Sequence, residues 1–206
     1  MHVGELFCFV QKTQDIAGIY LLTAIVILLT VVVTLFGLLD NRPGHSYDYI
    51  NQYGDTVKIY GEGLYRNDSY FKAPIFRGSD LTMLLLAVPL LVYALYKFKT
   101  KPGTDTSTGL ISALAVVFYY AASIAFGVVY NQLHLLYISL FSVALFTLIR
   151  LTTGIDYDKA VGNNITAPKG IYVFLYLTGA ALIVAWLPDI ISSLINGRPL
   201  ALIENY

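Results

Sequence analysis

Five long apolar stretches constrain this chain more than any other feature: residues 16–39, 81–96, 110–130, 133–149 and 171–187. A bilayer core is crossed by roughly 20 mostly apolar residues in a helix. In lipid, only helices and closed barrels satisfy every backbone donor and acceptor. The stretches lack the two-residue alternation of barrel strands, so they read as helices. The expected fold is an all-α integral membrane bundle of about five transmembrane helices, forming one membrane domain over residues 1–206. Charged residues make up only 13% of the chain, against about a quarter in a soluble domain.

The same composition narrows the chemistry. Formal net charge is zero, so no global basic field recruits nucleic acid. Cys8 is alone, which leaves no intrachain disulfide and no thiolate metal site. The histidines, His2, His45 and His134, form no HxxH or HExxH pair. There is no GxSxG and no GxxxxGK. No metal or cofactor is expected, and an enzymatic role is the less favoured one.

The first apolar stretch is too long for a signal h-region and has no small-x-small cleavage site after it, so it reads as a retained helix. Residues 40–79 form the longest polar segment. Strand-like pieces at 56–60 and 69–76, punctuated by Gly61, Gly63 and Asn67-Asp68, suit a small β-hairpin between the first two helices. A lone hairpin is marginal in water, so its aromatics are expected to dock it on the helix ends. A loop with interfacial tyrosines is the alternative.

Lys97, Lys99 and Lys101 crowd the short link after the second span. Short basic loops stay cytoplasmic. The N-terminus is therefore expected inside, residues 40–79 outside, and the 150–169 loop inside. The short link at 131–134 forces spans three and four into an antiparallel hairpin. Pro89, in mid-span, should kink the second helix. Ser123-x-x-x-Gly127 matches a close-packing pattern, which is more often plain packing than a dimer face. Pro188 is read as opening an interfacial turn.

No charged residue lies deep within these five stretches, which argues against a proton relay or an ion channel. Thr23, Thr30, Thr34, Ser112, Ser123, Ser139, Ser142 and Thr178 are read as bonding back to their own helices. Polar groups gather instead at the outer level: Asp80, Asn131, His134 and Asp189, with Tyr130, Tyr137 and Trp186 near them; Arg198 and Tyr120 fall at the same level. Taken singly, Asp80 is explained as a helix cap and Asp189 as a turn residue. Taken together, the first seven residues form a candidate ligand site, since aromatic walls with a few convergent polar groups make a small-molecule pocket.

The run from Val57 to Thr82, VKIYGEGLYRNDSYFKAPIFRGSDLT, together with Pro89-Leu-Leu, Tyr130-Asn131 and Ala185-Trp-Leu-Pro188, resembles a family of uncharacterised bacterial polytopic integral membrane proteins. The resemblance covers roughly residues 55–190. It implies the bacterial inner membrane, further helices after Tyr206, and interest in Gly61, Gly63, Asp80, Pro89 and Asn131. It carries no activity. The leading functional expectation is an outward-facing, non-enzymatic subunit that binds or senses a small ligand or an envelope partner. Its partners are then the lipid bilayer, an envelope protein or a second copy. A neutral-solute transporter and a membrane-interface enzyme using Asp80 and His134 are the alternatives.

Overall fold

A computed structural model describes residues 3–51, 54–154 and 169–197. Helix α1 runs Val3–Leu39. Strands β1 (Tyr47–Ile50) and β2 (Thr56–Ile59) pair into a two-stranded sheet. Helix α2 (Lys72–Thr82) continues through a π-helical segment, Met83–Ala87, into α3 (Val88–Thr100). Helices α4 (Thr104–Gly127), α5 (His134–Thr153) and α6 (Lys169–Asn196) follow.

Among the described residues, four helices are long and apolar enough to cross a membrane: Ile16–Leu39, Lys72–Thr100, Asp105–Gly127 and His134–Thr153. The fifth apolar stretch lies within α6. The chain divides into two compact units. The first, Met1–Tyr47 with Lys58–Asp156, contains α1 to α5; the second, Asp48–Val57 with Tyr157–Tyr206, contains the hairpin tip and α6.

In the first unit, α1 buries a seam of Ile19, Thr23, Val26, Thr30, Val33 and Gly37. These positions alternate by four and three, the spacing that keeps one stripe facing neighbouring helices. The seam is narrow and β-branched until it reaches Gly37. Thr30 and Thr34 donate to the Val26 and Thr30 carbonyls at 2.7 and 2.8 Å, as expected for hydroxyls in lipid. Leu21, Leu28 and Phe36 face outward, 63%, 62% and 54% exposed, which is what a lipid-facing surface requires.

Helix α4 packs along α5. Residues 128–133 join them, so the pair is an antiparallel hairpin. The Phe141 ring on α5 meets Phe118 and Phe126 on α4, with centroids 5.3 and 5.1 Å apart. The buried face of α4 is Leu110, Ala113, Leu114, Val117, Ala121 and Ile124. Gly127 lies off that stripe, beside Phe76 at 3.5 Å from the position of an added Cβ. At the opposite end of α5, Arg150 lies over Gly18 of α1, its Nη1 2.9 Å from where a Cβ would stand.

Several boundaries differ from the sequence expectation. The second membrane helix begins at Lys72 rather than 81. Residues 72–76, expected as strand, are its first turn and a half. Pro74 explains the choice: it has no N–H to give a ladder, and the first turn of a helix has no use for one. Ser69 starts that turn, its Oγ accepting from Lys72 N–H at 3.1 Å and its carbonyl from Ala73 N–H at 3.0 Å. What remains of the expected second strand is one antiparallel bridge, Ile59 to Ser69. The partner of β2 is the upstream β1.

Helicity also continues through Pro89. Leu85, whose carbonyl the proline ring would meet, lies in the π segment, and the wider turn there makes room. Likewise α6 runs through Pro188 to Asn196. Neither the turn expected there nor the role of Asp189 as a turn residue is found, since proline is tolerated within membrane helices.

Candidate functional site

The chain between β2 and α2 folds down onto the helix ends. Gly61 and Gly63 have φ of +83° and +60°, a left-handed conformation that side-chain-bearing residues rarely adopt. A Cβ at Gly63 would stand 2.3 Å from the Asp40 carbonyl oxygen, and one at Gly61 2.1 Å from that of His45. The two glycines let residues 61–63 lie directly against 40–45. Gly63 N–H donates to the Arg42 carbonyl at 3.1 Å. This turn drives Leu64 and Tyr65 into the bundle, where they are 4% and 1% exposed.

Tyr65 meets Asp80 there. The Asp80 side chain is wholly buried. Its Oδ2 accepts from the Tyr65 hydroxyl at 2.7 Å and its Oδ1 from the Tyr120 hydroxyl at 2.5 Å. Asp80 is therefore no helix cap. It is the ninth residue of α2, about 12 Å along the axis from Lys72 at 1.5 Å per residue. It is enclosed among the helices, at the level of Gly37 near the end of α1. Gly37 of α1 completes the enclosure: a Cβ there would stand 1.9 Å from Asp80 Oδ2 and 3.0 Å from the Tyr65 hydroxyl. Burial, then the Asp80 charge, pushes Tyr65 well above the ordinary phenol range. Tyr65 thus remains a donor at any physiological pH.

A second buried carboxylate ties the cap to the end of α4. Asp68 is fully buried, and its Oδ1 accepts from Val129 N–H at 3.0 Å. Its Oδ2 has no hydrogen-bond partner among the described residues. Burial raises the Asp68 carboxyl to about 6, against the Val129 N–H and the Lys72 charge. Asn67 Nδ2 donates to the Tyr130 carbonyl at 3.3 Å. On the other flank, Arg77 Nη2 donates to the Leu38 carbonyl at 3.2 Å and to Asn41 Oδ1 at 3.1 Å.

The other expected site residues gather at the α4–α5 turn. Asn131 Nδ2 donates to the Tyr137 hydroxyl at 3.1 Å, and Asn131 Oδ1 accepts from Leu133 N–H at 2.9 Å. The His134 ring lies between Tyr130 and Tyr137, centroids 5.5 and 6.0 Å away. Its Nδ1 is buried without a partner among the described residues. Tyr137 is wholly buried. Trp186 and Asp189 fall on α6, and their side chains lie outside the described residues.

An open groove of about 520 Å³ lies beside these polar groups. Leu35, Phe36, Leu39, Leu64 and Leu133 give its apolar walls; Asp40, Arg42 and Gln132 stand at its polar rim. Arg42 binds Asp40 through Nε at 3.0 Å and Nη2 at 2.7 Å, and reaches Gln132 Oε1 at 3.4 Å. The Arg42 bond holds the Asp40 carboxyl below the usual carboxylate range. Of the expected site residues that are described, none lines this groove. Among the described residues, no group of three His, Cys, Asp or Glu is placed to hold a metal ion.

As a set, Tyr65, Tyr120, Gly37 and Asp68 left no local pattern, because they come from three separate segments: α1, the chain between β2 and α2, and α4. Asn67-Asp68 read only as turn punctuation.

Two expectations follow from the buried carboxylates. Gly37→Ala should lower stability by about 1–3 kcal/mol, the usual cost of overpacking, because Asp80 is held from two sides and cannot yield. Gly109→Ala, where a Cβ meets nothing within 4 Å, should be neutral or stabilising by up to about 1 kcal/mol. Thermal unfolding in detergent checks both. Asp68 should make stability pH-dependent. Its folded-state value, near 6, stands above the ordinary 3.8. Its contribution is therefore full below pH about 4 and is lost as pH rises through about 6. The melting temperature of wild type relative to Asp68→Asn should fall across that window; a parallel pair of curves would refute it.

No family model matches the sequence, and no curated protein or solved structure matches it.

Proposed function

We propose that this chain is a non-enzymatic, multi-pass protein of the bacterial inner membrane that binds an amphiphilic small ligand at its capped end. The observation that carries this reading is the groove: five apolar side chains forming walls, with an ion pair and an amide at one rim. A ligand that fits must be apolar along most of its length and polar at one end. The buried polar groups nearby favour binding over catalysis. Both Asp80 oxygens are engaged by phenol donors, which leaves neither free for an acid–base partner. Sensing follows naturally, because the groove shares Leu64 with the cap and Leu133 with the α4–α5 turn.

In the full proposal α6 is a fifth span, and the N-terminus and the lysine link 97–101 are cytoplasmic. The cap and groove then face outward. Support comes from the basic link, which resists translocation. Cysteine labelling from outside, with Cys8 replaced, should modify a cysteine at Ser46 and spare one at Thr104. The reverse pattern would overturn the orientation.

The ligand reading is tested by native mass spectrometry of the detergent-solubilised protein titrated with a zwitterionic single-chain phospholipid. A saturable adduct of one lipid per chain is expected. Leu39→Trp, at a groove wall that is 71% exposed, should abolish it without lowering the melting temperature. Binding that never saturates, or that survives Leu39→Trp unchanged, would sink the proposal.

A further inference from the structure

The groove has a preferred ligand charge, which follows from how its ion pair is turned. Within the Asp40–Arg42 pair, the Arg42 side chain is 45% exposed and the Asp40 side chain only 12%. The pair is neutral in sum, but the face it presents is cationic. Of the Arg42 nitrogens, Nε and Nη2 point to Asp40, whereas Nη1 reaches only Gln132 at a long 3.4 Å. Nη1 and the outer edge of Nη2 therefore keep N–H donors for an incoming oxygen, and a guanidinium presents such donors in the planar fork that suits phosphate.

The apolar side of the groove is equally directional. Leu35, Phe36 and Leu39 lie on the last turns of α1, and the same outward face continues down the helix through Leu28. From Leu39 to Leu28 is about 16 Å along the axis, a length over which an extended acyl chain can lie. The polar rim stands just beyond the end of the apolar helix, at the level where lipid headgroups meet water. A surface lipid entering from the bilayer would bring its chain to Leu35 and Leu39 and its headgroup to Arg42 in one motion.

Resting on the amphiphile reading above, we infer that the ligand is an anionic phospholipid, its phosphate held by Arg42 and its acyl chain laid along the outer face of α1. Arg42 confers headgroup selectivity; the leucine walls confer affinity.

The test compares two single-chain lipids of the same acyl chain, one with an anionic phosphate monoester headgroup and one zwitterionic, by native mass spectrometry. Wild type should bind the anionic lipid about tenfold more tightly, the scale of one charge-assisted contact at a half-exposed site. Arg42→Gln should remove that preference and leave zwitterionic binding unchanged; Arg42→Lys should restore part of it. Inorganic phosphate at the same concentration should not compete, since the chain supplies the affinity. Equal binding of the two lipids by wild type would overturn this inference and leave the amphiphile reading standing. Absence of binding by either lipid would overturn both. Full competition by inorganic phosphate would mean a free-anion site and refute the lipid assignment. A preference that persists in a folded Arg42→Gln protein would take the selectivity away from Arg42.

Discussion

The hydrogen bonds from Tyr65 and Tyr120 to Asp80 are the interaction on which the first unit depends. An isolated carboxylate moved into an apolar interior costs far more than a domain's net stability. Two phenol donors at 2.7 and 2.5 Å offset that cost, and both are charge-assisted bonds of the stronger class. The donors come from different places, one from the cap and one from α4. On a third side Gly37 of α1 leaves no room for a Cβ. The node therefore fixes cap, α1, α2 and α4 in one arrangement. A partner removed from such a site leaves its desolvation uncompensated, so the geometry is specified more sharply than apolar packing alone would specify it.

That specificity matters because lipid weakens the usual driving force. Between membrane helices there is no hydrophobic gain from association, since acyl chains are as apolar as leucine. What remains is close packing and polar contact. Here the two are separated by depth. The α1 seam from Ile19 to Val33 packs by small and β-branched side chains, with Thr30 and Thr34 bonded back to their own helix. At Gly37 the seam opens to admit a carboxylate and a tyrosine. The capped end thus carries the polar groups that set register, and the groove lies at its edge.

The membrane helices were legible in the sequence because lipid imposes length and composition directly on each segment. Their starts were not. Hydrophobicity marks where a helix is buried in lipid, whereas the helix itself begins where the backbone is first satisfied. Ser69 and Pro74 moved that point to Lys72 and so carried Asp80 from an expected terminus to the ninth helical position. Asn131, His134, Tyr130 and Tyr137 were readable as neighbours because residues three to six apart around a tight turn must meet. Pairings across 15, 40 or 61 residues, as for Tyr65, Tyr120 and Asp68, left no local pattern.

By itself, the sequence determined that this chain forms apolar helices of membrane-crossing length, because each segment meets that requirement alone. It also determined the tight α4–α5 hairpin, because six linking residues permit little else. Tertiary structure alone decided that Asp80 is enclosed rather than exposed, that Gly37 must be bare, and that the Arg42–Asp40 pair turns its cation outward over a leucine-walled groove. Each of these depends on atoms brought together from distant parts of the chain. The free energy that selects them belongs to the assembled set and to none of its segments.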